Sequence, residues 1–324
     1  MFETRVTKIL GIRYPVIQGA MLYAARAELV SAVSNAGGLG IIVAFTFTTP
    51  EEFAAELRKI KKLTDKPFAV NIPLIPAVGK VNYDVYINVI IDEGVKIVET
   101  AAGNPEPYMA RLKSAGIKVI HKCTGLRFAQ KAENIGCDMV VLDGFECAGF
   151  TGEDDVTSLT LVPVSTKALN IPVIAAGGFG DGRGLVAALA LGADAVYMGT
   201  RFLMTREASV HIKMKEYLLK ATERDTTILC RRYRSSRRLL RNAYSDRVAK
   251  MEMDGATAEE LASLTILTRN EKYWDIGDVD EAGLPAGQVI GLIDDIPSAG
   301  EVIERIIKEA EEIISGRLQA LVQK

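Results

Sequence analysis

Two short segments carry residues suited to holding an anion: Ile174-Ala175-Ala176-Gly177-Gly178 and, about twenty residues on, Tyr197-Met198-Gly199-Thr200. Backbone N–H groups at Gly177, Gly178 and Gly199, with the Thr200 hydroxyl, could close around one phosphate. A side chain at such turns would hold the backbone away from the anion. The plainer reading is that these glycines turn the chain at strand ends, but two such sites in tandem favour the phosphate. Lys122 ends the apolar run Val119-Ile120-His121-Lys122. It could meet negative charge that builds up during a reaction, or it could pair with a carboxylate such as Glu99. Asn71 both donates and accepts hydrogen bonds; its alternative is a turn before Pro73.

These residues need a scaffold, and the chain spells one out. Short apolar segments occur at 16–20, 38–43, 68–73, 95–99, 118–122, 139–143, 173–176 and 195–198, separated by stretches of helical periodicity. Helices are expected at 25–36, 50–63 and 105–115. Strict alternation of eight strands with helices predicts a parallel (β/α)8 TIM barrel, whose active site lies at the carboxyl ends of its strands. Residues 206–284 lose the strand signal and read as charged helices. They predict a helical cap inserted after the eighth strand, so the barrel domain would comprise 1–205 and 285–324. The run Arg231 to Arg241, with six arginines in eleven residues, falls in that cap. It reads as a solvated helix face or as a surface for phosphates.

Composition excludes several classes. The 324 residues carry a formal charge of −2, which gives no reason to expect nucleic acid. No apolar run reaches the length of a membrane span, and Met1 to Lys8 has no apolar signal core, so a cytoplasmic protein is expected. Four cysteines and two histidines show no metal-ligand spacing. His121 neighbours Lys122 on a strand, so the two face opposite ways and His121 is expected to pack outward. His211 is expected to be exposed, Cys147 to be structural, and Asp154 and Asp155 to cap a helix.

The chain resembles the nitronate monooxygenase-like flavoproteins, also called 2-nitropropane dioxygenases, a group that includes enoyl-acyl carrier protein reductase II and NADH:quinone reductases. The resemblance rests on Pro15 to Met21, Val70 to Pro73, Val119 to Cys123, Asp143 to Gly149, Gly152 to Asp155, Ala176 to Gly184, Met198 to Phe202 and Ala286 to Gly291. Its pattern is nearest to the NADH:quinone reductase branch. The resemblance implies FMN at the barrel mouth, held by Gly19, Ala20, Met21, Asn71, Lys122, Ala148, Gly149, Ala176, Gly177, Gly178, Met198, Gly199 and Thr200. It also implies NAD(P)H as co-substrate, and a homodimer is the assembly to expect.

The chain departs from the family in one place. Where relatives place a histidine after Glu-Cys-Ala-Gly, this chain has Phe150. Phenylalanine can neither take a proton nor carry charge, so Phe150 is expected to serve as a pocket wall. That leaves hydride chemistry through the flavin, with a quinone or an activated alkene such as an enoyl thioester as acceptor. Nitronate oxidation is the alternative, and a flavin-binding protein without turnover is a third.

Overall fold

The computed structural model describes residues 2–74, 82–265 and 275–322. Nine strands account for the barrel and one short wall segment: β1 (Val16–Gln18), β2 (Gly40–Val43), β3 (Phe68–Leu74), β4 (Ile97–Ala102), β5 (Lys118–Cys123), β6 (Met139–Asp143), β7 (Gly149–Phe150), β8 (Val173–Ala176) and β9 (Ala195–Met198). All but β7 form one parallel sheet in the order β1–β9–β8–β6–β5–β4–β3–β2. A parallel bridge from Ile17 to Leu39 brings its two ends together. Gln18 reinforces that seam: its side chain accepts from Ile41 N at 2.9 Å and donates to Ile41 O at 3.3 Å. The expected TIM barrel is therefore what the chain forms, and three of its strands keep the expected bounds.

Residue alternation sorts the apolar side chains into two layers. Ile17, Leu39, Ile41, Ala69, Ile97, Ile120, Val141, Ile174 and Ala195 fill the interior. Val16, Ile42, Val70, Val98, Val119, Val140, Val173 and Val196 face outward into the shell of helices. The first helix (Arg5–Leu10) closes the amino-terminal end, where Val6, Leu10 and Ile12 join the interior layer. That end is sealed, so the open mouth is at the carboxyl ends.

The surrounding helices obey local rules. Helix Pro50–Leu63 starts with a reciprocal Thr49–Glu52 capping box and Pro50, ends on Lys61 and Lys62, and buries Phe53, Leu57 and Ile60 on one stripe. The other two expected helices lie at Ala27–Asn35 and Glu106–Ser114. After β9 the chain leaves the barrel and returns in helix Ala299–Glu312, which packs between helices Gly182–Ala190 and Ala27–Asn35.

The inserted segment is not wholly helical, contrary to expectation. Besides helices Ile212–Leu218, Ala243–Met253 and Ala258–Thr265 it carries β10 (Thr226–Leu229) and β11 (Arg237–Leu240), paired antiparallel. Strand β11 also pairs with β7, Arg237 opposite Phe150 and Arg238 opposite Gly149. The arginine run is thus a turn and a strand, not a helix face. Cys230 and Arg234 both adopt left-handed backbone, at φ 60° and 52°, which ends any helix there.

Candidate active site

A cleft of about 950 Å³ opens over the carboxyl ends of the strands, at the upper end of ordinary ligand pockets. Its floor is a layer of polar side chains pointing into the barrel from five strands. Glu99 on β4 is fully buried, and its Oε1 accepts from Asn71 Nδ2 at 2.5 Å and from Tyr197 Oη at 3.1 Å. Tyr197 Oη in turn accepts from Ala20 N at 2.6 Å. Lys122 Nζ stands 3.7 Å from Asp143 Oδ2 and 5.2 Å from the centre of the Tyr197 ring. One lysine thus serves two buried carboxylates, with Asp143 the nearer partner and not Glu99 alone.

Burial pushes the Glu99 and Asp143 carboxyls above their usual range, partly offset by Lys122. Burial opposes the Lys122 charge too, yet Tyr197, Asp143 and Glu99 hold its pKa above the ordinary lysine value. Lys122 therefore stays cationic at neutral pH. Glu99 Oε2 has no hydrogen-bond partner, so an ionised Glu99 is poorly compensated. A carboxyl whose folded pKa is raised gives its full stabilisation below the unfolded value of 4.5 and loses it as pH rises through the folded value. Glu99→Gln should therefore melt higher than wild type at about pH 8, with the difference vanishing near pH 4. Melting curves across that range check it; a pH-independent difference would refute it.

Gly177, Gly178, Gly199 and Thr200, the residues expected to hold a phosphate, all line the cleft above this floor. The N–H groups of Gly177, Gly178 and Gly199 have no hydrogen-bond partner among the described residues, and the three half-buried glycines line the cleft, where these donors are open to a ligand. A side chain at Gly199 would meet nothing within 4 Å, so the backbone there faces open cleft. Gly177 is required for another reason: φ is +87° and a Cβ would lie 2.8 Å from Gly144 O. Thr200 Oγ1 accepts from Gly287 N at 3.0 Å, which ties the returning chain to the site and leaves the hydroxyl proton free to donate. These residues fit a phosphate monoester.

Gly19, Ala20, Met21, Asn71, Lys122, Ala148, Gly149 and Phe150 line the same cleft. Ala176 and Met198 do not: Ala176 is buried in the interior layer and Met198 in the outer one. Phe150 lies in the wall made by β7 and β11, with the Arg237 guanidinium 4.4 Å from its ring centre. Arg238 covers the Phe145 ring at 4.8 Å and donates to Phe145 O at 2.9 Å. Both arginines are almost fully buried, so the run is neither a solvated face nor an open phosphate surface at these positions.

The remaining candidates take structural places. His121 faces outward, with Nδ1 2.8 Å from Thr100 Oγ1, and burial lowers its pKa to about 4. His211 is half-buried and caps helix Ile212–Leu218 by accepting from Lys213 N. Burial pushes the Cys147 thiol well up, and its Sγ donates to Phe150 O at 3.4 Å, so it is not a reactive thiolate. Asp154 and Asp155 cap no helix. Asp154 faces Arg127 at 3.8 Å and Asp155 pairs with Arg231. Glu146 caps helix Ser158–Ala168 instead, accepting from Ser158 N at 3.0 Å. Sequence reasoning missed Tyr197 and Asp143 as site residues, although both occupy inward-facing positions near strand ends.

The cleft at the mouth of the (β/α)8 barrel thus combines glycine amides with a lysine and two buried carboxylates, and the chain belongs to the nitronate monooxygenase family, whose profile matches residues 3–77 and 75–309. Membership makes it an enzyme of a flavin-dependent kind. The solved structure of FabK from Thermotoga maritima is 38% identical, with a TM-score of 0.90 over 99% of this chain and 100% of that one. A Mycobacterium tuberculosis relative named (3aS,4S,5R,7aS)-5-hydroxy-7a-methyl-1-oxo-octahydro-1H-indene-4-carboxyl-CoA dehydrogenase is 37% identical over 95% of this chain and 96% of its own length. A probable nitronate monooxygenase of Staphylococcus saprophyticus is 31% identical, covering 97% of this chain and 99% of its own. Among the described residues no helix is long and apolar enough to cross a membrane, and no cluster of metal-ligating side chains occurs.

Proposed function

We propose that the protein is an FMN-dependent oxidoreductase linked to NAD(P)H, with an acyl thioester bearing an activated double bond as its second substrate. Phe150 carries this reading. At the position where the family resemblance leads one to expect a histidine, the wall presents an aromatic ring backed by a buried guanidinium, so this position offers no base for abstracting a proton from carbon. Transfer of hydride does not need one. The carboxyl-CoA named for the 37% identical relative supports a thioester over a nitronate.

The chain's own residues have separable tasks in this reading. The amides of Gly177, Gly178 and Gly199 and the Thr200 hydroxyl hold the FMN phosphate. Asn71 offers its carboxamide to the cofactor edge, and Lys122 keeps a positive charge where reduction adds a negative one. FMN, when bound, supplies two-electron chemistry as hydride. Phe150, its ring held against the buried Arg237 guanidinium, presents an aromatic face against which an acceptor stacks, and residues 206–284 act as the substrate-binding cap.

The deciding experiment starts with mass spectrometry of the released cofactor, which should give FMN and not FAD. NADH and NADPH are then added anaerobically to the purified protein. Fast bleaching followed by reoxidation with an enoyl-CoA supports the proposal. Reoxidation by a quinone alone would replace the acceptor, bleaching by a nitronate alone would replace the reaction, and no bleaching at all would leave a binding protein.

A further inference from the structure

Every acid that lines the cleft has a partner. Asp143 faces Lys122, Glu146 accepts from Ser158, Glu153 accepts from Ser236 at 2.9 Å, Asp154 faces Arg127, and Glu281 takes Arg247 at 2.6 Å. Two cleft-lining cations, Lys131 and Arg234, have no partner among the described residues. Both are exposed. The local ion pairs bring them to one end of the cleft. Asp154 ties the loop after β7 to helix Leu126–Ile135 through Arg127, and Asp155 ties the same loop to the turn at Arg231–Tyr233. Lys131 on that helix and Arg234 after that turn therefore flank one loop. Arg234 is held there in left-handed backbone that a non-glycine residue seldom adopts. Beside them the cleft exposes Phe128, Phe150, Met251 and Leu264. An apolar wall ending in two uncompensated cations suits a ligand with an apolar part joined to phosphates.

We infer that Lys131 and Arg234 form a site for the diphosphate of an adenine-nucleotide tail, the chemistry shared by NAD(P)H and coenzyme A thioesters. Which of the two docks there rests on the reading under Proposed function; the anion site itself does not. A guanidinium fork and an ammonium together match the oxygens of a diphosphate, and among the described residues neither has an acid to give up first.

The test uses the purified, cofactor-loaded protein and ADP as probe. Titration calorimetry should show ADP binding that weakens with added salt and that falls roughly tenfold for each cation removed in Lys131→Ala and Arg234→Ala. Arg234→Lys should recover part of the loss. The kinetic arms separate the sources. A raised KM for NADH or NADPH in the double variant identifies the nicotinamide. A raised KM for an enoyl-CoA, with the same acyl group on N-acetylcysteamine unaffected, identifies coenzyme A. ADP binding that is absent, or equal in wild type and a folded double variant, overturns the site. ADP binding lost in the variant of a protein that turns over neither substrate would keep the site and overturn the proposed reaction instead.

Discussion

Lys122→Met is expected to lower both the stability of the protein and the two-electron potential of its flavin. Among the described residues Lys122 is the cation that faces Asp143 and Glu99, and its side chain is only 22% exposed. Removing one partner of a buried charge set leaves the other uncompensated, at a cost on the order of 3 kcal/mol. The barrel should still fold, because its two apolar layers are untouched, but with a clearly lower denaturation midpoint. Asp143→Asn in the same chain should restore much of that loss, since it removes the stranded carboxylate. The potential should not recover with it. A charge acting at contact range through an effective dielectric near 20 is worth about 3 kcal/mol, roughly 60 mV for a two-electron couple. Spectroelectrochemistry on flavin-replete variants reads this directly. An unchanged potential would place Lys122 away from the cofactor.

Phe150→His is expected to add a nitronate oxidase activity while leaving reduction by NAD(P)H nearly intact. The Arg237 guanidinium lies 4.4 Å from the centre of the Phe150 ring. An imidazole in that place would feel a cation at close range, which disfavours its protonated form. It would therefore be a neutral base at pH 7. A positioned base contributes about two to four powers of ten to a proton-transfer step, so the gain should stand well above background. Loss of the cation–ring contact should cost about 1 kcal/mol, a modest fall because Phe150 is 37% exposed on the wall. Stopped-flow traces with NADH, NADPH and a nitronate compare the two proteins. Rapid nitronate oxidation by wild type with no response to nicotinamides would overturn the reductase reading.

The barrel was legible because its signals are local. Eight apolar segments of strand length, separated by helical periodicity, leave few alternatives once parallel connections must be right-handed. The mouth of the barrel could be named from the same pattern, and the glycines and Thr200 with it. The cap was misread because β10 and β11 are short and β11 is half arginine, a composition that argues for an exposed helix. What keeps Arg237 and Arg238 in a strand is the pairing with Gly149 and Phe150, almost ninety residues earlier, and the aromatic rings that cover their guanidinium groups.

The sequence by itself determined the class of fold, the end of the barrel that carries the site, and that neighbouring strand residues face opposite ways, because element order fixes the first two and strand alternation the third. Lys122 and His121 were thus known to face opposite ways, and the structure turns Lys122 inward together with Asn71, Glu99, Asp143 and Tyr197. Which of them touch was decided by the tertiary structure. Glu99 and Tyr197 bond across the interior from strands 98 residues apart in the chain, and Lys122 meets Asp143 from the neighbouring strand. Those distances depend on the radius and stagger at which the sheet closes, and these are properties of all eight strands together that no single segment encodes.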